Sequence, residues 1–271
     1  MPSIRELLEH GSNKLREVTQ NPQKEALRLL AFSLQVECLW LISHDDFIVD
    51  EPKDFLENID KRANFYPLEY ILKETSFYSK MFYTDDRVLI PRPETEILID
   101  KVFSICRDMK KPIIAEVGAG SGIISVMLST LLPDVNIIAT DISQDALEVA
   151  KINANRHRVE DRIRFVRTNL LEGINEKIDI LVSNPPYIKD DEKLDKNLSY
   201  EPDLALFGGN KGDEILRCLI DEAIKRDVKV LACEMGYDQK EKINNYLKNH
   251  NLSAEFYKDL AGIDRGFVLN P

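Results

Sequence analysis

The chain has 271 residues, 44% of them hydrophobic, which is enough to bury a full core and long enough for two domains. Its net charge of −11 is spread on both sides of Pro91, so neither half is built to neutralise a long phosphate backbone. No apolar run reaches membrane-spanning length, and the opening MPSIRELLEH has no signal-peptide pattern, so no membrane association is expected.

The first part reads as helical. IRELLEHGSNKL, EALRLLAFSLQV and FLENIDKRA carry Leu, Ile and Phe at three- and four-residue spacings, with short polar joins. Asn21 is expected to cap the second helix, with Pro22 in its first turn. Trp40 is expected in the core of this region. Residues 1–74 are therefore read as a helical domain, and SFYSKMFYTDDRVLI, within 75–90, as a β-hairpin linker turning at Asp85-Asp86. From Pro91 to Pro271 strands and helices alternate. ETEILIDKVFSICRD precedes strand PIIAEV, helix SGIISVMLSTLL, strand NIIATD, helix SQDALEVAKINANR and strand RIRFVR. The apolar run Ile178 to Val182 is the next strand; helix DEILRCLIDEAIKR, strand VKVLACEM, helix DQKEKINNYLKN and strands SAEFYK and GFVLN close the chain. That rhythm predicts an α/β domain with a doubly wound, mostly parallel sheet.

Glu116-Val117-Gly118-Ala119-Gly120-Ser121-Gly122 joins the first strand of this domain to its helix. Glycines there permit a tight turn and a close approach of ligand to backbone. Asp141, at the end of the next strand, is placed to accept hydrogen bonds from ribose hydroxyls. A dinucleotide site and an S-adenosylmethionine site compete on these features. The spacing is GxGxG, and Glu116 stands two residues before the first glycine, where it would repel a pyrophosphate and suit an ammonium group. The loop favours S-adenosylmethionine.

Asn184-Pro185-Pro186-Tyr187 ends the strand that begins at Ile178. Two adjacent prolines cannot donate to a sheet ladder and disfavour helix before them, so Asn184 is held extended at the strand end. Its side-chain oxygen and the Pro185 carbonyl are positioned to accept both hydrogens of a planar NH2 group. Such a nitrogen is a poor nucleophile, and fixing both hydrogens orients it and favours the charge developing as it attacks a sulfonium methyl. The Tyr187 ring is expected to wall that pocket.

The scattered residues exclude other chemistry. Cys38, Cys106, Cys218 and Cys233 form no CxxC pair, so neither a zinc site nor a disulfide framework is indicated and a reducing cytoplasm is the simplest setting. His10, His44, His157 and His250 are isolated, leaving metal hydrolysis and Ser-His-Asp chemistry unsupported.

Motif for motif, the chain resembles the peptide-chain release factor glutamine methyltransferases of the PrmC/HemK family. The motifs EVGAGSG, NPPY, LEYILKETSFYSKMF, VLIPRPETE, LSYEPDLALFGG and DLAGIDRGF occur in family order over nearly the whole chain. The resemblance implies a Rossmann-like class I methyltransferase domain at 91–271 behind a helical substrate-recognition domain. It implies methyl transfer from S-adenosyl-L-methionine to the side-chain nitrogen of the glutamine in the Gly-Gly-Gln motif of class 1 release factors. S-adenosyl-L-homocysteine would be the other product, and no metal would take part.

By residue, Glu116, Gly118, Ala119, Gly120, Ser121 and Gly122 would hold the methionine part of the donor. Asp141 would take the ribose, and Asn169 and Leu170 the adenine. Asn184, Pro185, Pro186 and Tyr187 would hold the substrate glutamine, Asn184 also facing the donor's methyl group. Arg92 and Glu94, in Pro91-Arg92-Pro93-Glu94-Thr95, would line the pocket where the domains meet. Lys73 and Ser79 stand where relatives usually carry glycine, Asn169 where many carry Asp, Leu170 where a larger apolar side chain is common, and GGNKGDE departs from the usual GGxDG run.

Arg92 is read either as a contact for the protein substrate or as half of an ion pair. Glu201 and Asp203 are read as holding a loop over the site, and Asp190-Asp191-Glu192 as a solvated loop. Two other classes stand beside the protein methyltransferase. A nucleic-acid adenine-N6 or cytosine-N4 amino-methyltransferase would use the same two acceptors but would want a basic groove and base flipping. A catalytically silent donor-binding subunit would be expected to lose either the glycine loop or the NH2 clamp, and both are present.

Overall fold

Ser3 begins the first helix of the computed structural model, which describes residues 1–271. Its side chain accepts from the Glu6 N–H while Glu6 accepts from the Ser3 N–H, a reciprocal cap on α1 (Ile4–Leu15). α2 (Pro22–Leu34), α3 (Cys38–Ser43), α4 (Lys53–Ala63) and α5 (Leu68–Leu72) follow. Asn21 makes no side-chain capping bond, and Pro22 at the first helical position brings no N–H that needs a partner. Leu7, Leu29, Leu30, Phe55 and Ile59 form the core of this bundle, with no side chain at Gly11 to hold α1 away from Phe55 and Ile59. Arg62 of α4 donates to Glu25 of α2 at 2.7 Å, both side chains nearly buried. Trp40 lies half-buried at the margin of the core, its ring stacked on His44, because α3 turns Leu39 and Ile42 to solvent.

The chain divides into two compact units, residues 1–74 with 194–200, and residues 75–193 with 201–271. In the first, residues 194–200 join the helices through Tyr200, which donates to the Asn64 carbonyl at 2.9 Å and meets the Tyr66 ring edge-on.

β1 (Glu74–Phe77) and β2 (Lys80–Tyr83) pair as a hairpin. Its turn is at Tyr78-Ser79 and not at Asp85-Asp86, since both Tyr78 and Ser79 have positive φ, the geometry that matches the twist of a two-residue hairpin. Asp85 instead binds Arg87 and the Tyr83 hydroxyl.

The remaining elements are α6 (Thr95–Cys106), β3 (Ile113–Val117), α7 (Ile123–Leu131), β4 (Asn136–Asp141), α8 (Gln144–Arg156), β5 (Ile163–Arg167), β6 (Ile180–Ser183), α9 (Asp203–Leu206), α10 (Glu214–Arg226), β7 (Val230–Glu234), α11 (Lys240–Asn249), β8 (Ala254–Lys258) and β9 (Asp264–Leu269). The seven strands β3 to β9 lie in the order β5-β4-β3-β6-β7-β9-β8, all parallel except β9. Alternate residues of each strand bury on opposite faces: Ile114 packs with α6, α7 and α8, and Ala115 with α10 and α11. Both faces are covered, so the strands are almost continuously apolar. This is the doubly wound, mostly parallel sheet that the strand–helix alternation predicts. Strand order reverses between β3 and β6, which opens a crevice at their carboxyl ends.

Candidate active site

A cavity of about 180 Å3 lies in that crevice, roughly an order of magnitude above what one water needs. One wall comes from β3 and β4. The glycine loop leaves β3 with Gly118 and Ala119 N–H groups bonded to the Thr140 carbonyl at 2.9 and 3.0 Å. Gly118, Gly120 and Gly122 all have positive φ, which an L side chain rarely adopts. A Cβ on Gly118 would meet nothing within 4 Å, whereas one on Gly122 would lie 2.8 Å from the Ala150 Cβ. Gly118 leaves room above the loop; Gly122 lets α8 close beneath it.

Two acids brace the loop. Glu116 is 1% exposed, and one of its oxygens accepts from both the N–H (3.0 Å) and the hydroxyl of Ser125 in the first turn of α7. Burial pushes its carboxyl up to about 8. Asp141 accepts from the Gly120 N–H and the Ser143 N–H, each at 2.9 Å, and desolvation raises its pKa also. Thr140 donates to the Leu170 carbonyl at 2.8 Å, which holds Leu170 half-buried at φ 48° against the cavity, beside the exposed Asn169.

Asn153 had no signal in a polar-looking helix, yet it is fully buried. Its amide donates to the Ser121 carbonyl (2.8 Å) and the Tyr83 carbonyl (2.9 Å), and its oxygen accepts from the Tyr83 N–H (2.7 Å). One side chain on α8 thus ties the glycine loop to the hairpin.

The other wall comes from β6. Ser183 donates to the Val117 carbonyl at 2.7 Å, locking the two strand ends together across the reversal. Asn184 follows, its Nδ2 donating to Thr95 Oγ1 at 3.2 Å, and Thr95 donates to Glu234 at 3.1 Å. Neither Asn184 Oδ1 nor the Pro185 carbonyl accepts a bond from the protein, and both residues line the cavity. Gln239, buried on the entry to α11, donates to the Tyr187 carbonyl (3.0 Å) and the Gly212 carbonyl (2.8 Å), fastening the chain beyond the prolines. A Cβ on Gly208 would stand 2.5 Å from the Pro186 carbonyl, so only glycine lets that strap pack against it.

Arg92, Asn184, Pro185, Pro186, Asp141, Asn169, Leu170 and the run from Glu116 to Ser121 border the cavity, while Gly122 lies beneath the loop against Ala150. Tyr187 and Glu94 do not border it. Burial and the nearby Glu234 raise the Tyr187 phenol. Arg92 forms an ion pair with the buried Glu201, which also accepts from the Ile90 N–H at 2.9 Å. Glu201 therefore braces the PRPET segment, while Asp203 is exposed and starts α9, and Asp190, Asp191 and Glu192 are solvated. The sequence signal for Glu234 was a lone acid ending the apolar strand VLACE; Gln239 offered none.

Comparison with known proteins matches residues 94–201 to the Methyltransferase small domain family and residues 6–72 to the PrmC N-terminal domain family. The chain is 34% identical to the release factor glutamine methyltransferase of Clostridium botulinum over 97% of both chains. It is 36% identical to that of Dictyoglomus turgidum, over 97% of this chain and 96% of the relative. It is also 35% identical to a bifunctional methyltransferase of Rickettsia typhi over 99% of its own length, but spans only 57% of that relative. Among solved structures, human methyltransferase 10 domain containing protein shares the fold, with a TM-score of 0.53 at 15% identity over 91% of this chain and 98% of that one. The hMettl16 catalytic domain does so at a TM-score of 0.58 and 13% identity, over 70% and 74%. No helix is long and apolar enough to cross a membrane, and no cluster of metal-ligating side chains is present.

Proposed function

The chain belongs to the release factor glutamine methyltransferase family, and from that premise we propose that it methylates the Gly-Gly-Gln glutamine of class 1 peptide chain release factors in the cytoplasm. The observation that carries the reading is the pair of unclaimed acceptors, Asn184 Oδ1 and the Pro185 carbonyl, held beside the glycine loop across the β3–β6 reversal. The methyl donor would be S-adenosyl-L-methionine, whose sulfonium supplies an electrophilic methyl group. The site suits it: Gly118 leaves open space over the loop, Asp141 retains lone pairs for a diol, and the Leu170 side chain offers an apolar flank.

The protein's own part is positional. Asn184 and Pro185 take both N–H bonds of the glutamine amide, which turns its nitrogen lone pair toward the donor and stabilises positive charge as the N–C bond forms. As the donor's S–C bond breaks and the nitrogen takes the methyl group, that nitrogen sheds one proton to water, leaving the product amide and S-adenosyl-L-homocysteine. The prolines keep both acceptors from relaxing, and fixing two reactants in this way supplies roughly 7–11 kcal/mol of the barrier when geometry is right. Burial of Glu116 beneath the loop keeps the donor end rigid. The helical unit, residues 1–74, would recognise the protein substrate.

A radiolabelled methyl-transfer assay offering a class 1 release factor, the same factor with its Gly-Gly-Gln glutamine replaced, DNA and RNA tests the reading. Label on the intact factor alone is the expected result. Label on DNA or RNA with none on the factor would make the chain an amino-methyltransferase of nucleic acid.

A further inference from the structure

Asn184 carries a side chain whose two ends differ only by O and NH2, so something must fix which end faces the cavity. Thr95 and Glu234 are placed to do so. Thr95 is fully buried at the start of α6, and its hydroxyl has a single proton. Glu234, 3% exposed at the end of β7, presents Oε2 to that hydroxyl at 3.1 Å. A carboxylate oxygen only accepts, so Thr95 must donate there and is left with lone pairs alone for Asn184. A lone pair can bind only Nδ2–H, at 3.2 Å, and Oδ1 is thereby turned to the cavity. The other Glu234 oxygen is buried with no partner. Burial raises the Glu234 carboxyl to about 8, and the relay runs in this direction when Glu234 is ionised. No residue on β6 contributes to this; the relay runs from β7 through α6.

We propose that Thr95 and Glu234 are positioning residues that set the polarity of the Asn184 amide, presenting its oxygen to a substrate NH2 group. The proposal rests on the methyl-transfer reading for its rate consequences, though not for its geometry. Removing the hydroxyl proton's path has two distinct forms. Thr95→Val leaves Nδ2 unpaired and the amide free to turn. Glu234→Met leaves Thr95 free to donate to Asn184 Oδ1, which pulls the oxygen out of the cavity.

Steady-state transfer to a release factor, with melting temperature alongside, tests it. Thr95→Val and Glu234→Met should each lower kcat about tenfold, the effect of one misplaced hydrogen bond, with KM for the donor unchanged. Thr95→Ser should restore most of the rate. The double variant should be no slower than either single one, because both act through the same amide. Wild-type kcat in Thr95→Val, a Thr95→Ser enzyme as slow as Thr95→Val, or losses that multiply in the double variant would each overturn the relay. Side-chain amide NMR separates this from the reading beneath it. The Asn184 NH2 should exchange slowly in the wild type and fast in Thr95→Val, whether or not a release factor is methylated. Equal exchange in both would sink the relay; absence of transfer by the wild type would sink only the substrate assignment.

Discussion

The two walls of the cavity are built on opposite plans. On the β3 side the backbone forms the surface, three residues have positive φ, and glycine is needed because side chains would strain or obstruct the turn. On the β6 side two prolines remove backbone freedom and a side-chain amide forms the surface. Each wall rests on a buried acid paired with a hydroxyl: Glu116 with Ser125, and Glu234 with Thr95. The difference is in reach. Glu116 and Ser125 are nine residues apart, within one strand–loop–helix unit, while Thr95 and Glu234 are 139 apart. A wall that must accommodate a ligand against its main chain can be specified locally. A wall that must aim one amide needs support from other strands.

That contrast is most strained by Asn184→Ala, which should lower single-turnover transfer by about 10²–10³ while leaving fold and donor affinity intact, since one preorganised acceptor is lost. Near-normal transfer by the folded variant would mean that the β6 wall is scaffold only. On the other wall, Gly122→Ala should destabilise the protein by about 2–4 kcal/mol, from a disfavoured φ and a collision with Ala150. Chemical denaturation reads this directly, and an unchanged midpoint would show that α8 shifts freely.

The buried Glu116 gives the β3 wall a pH signature. Its folded pKa, about 8, lies above its unfolded value, so its contribution to stability is complete below about 4.5 and is lost as pH rises through about 8. The melting temperature should therefore decline over that window, and Glu116→Gln, which keeps an acceptor for Ser125, should flatten the decline. An identical slope in the variant would place the titration elsewhere. Asp141→Ala should weaken S-adenosylmethionine binding by about 1–3 kcal/mol with Asn184-dependent chemistry unaffected, and calorimetry showing equal affinity would remove Asp141 from the site. The smallest effect concerns the hairpin: Ser79→Gly should stabilise the chain by about 0.5–1 kcal/mol, because Ser79 sits at φ 57° where glycine is unstrained. A lower melting temperature would show that the serine side chain is needed there.

What the sequence by itself determined follows from local chemistry. Strand–helix alternation and apolar strands buried on both faces dictate a doubly wound sheet, and a GxGxG turn, an acid at the next strand end and Asn-Pro-Pro-Tyr mark both walls of the cavity, because each is specified within a few residues. Lys73 and Ser79, noted as stand-ins for glycine, do lie at positive φ. Other readings failed where the choice is not local. The hairpin turns at Tyr78-Ser79 although Asp85-Asp86 has better turn residues, because pairing of β1 with β2 sets the register. Asn153, Gln239 and the Thr95–Glu234 pair were illegible as a set, since a buried polar side chain acquires its meaning only from the partners that satisfy it. Those partners come from separate elements, and only the packing of α6, α8, β7 and α11 around the strand ends decides which polar groups meet.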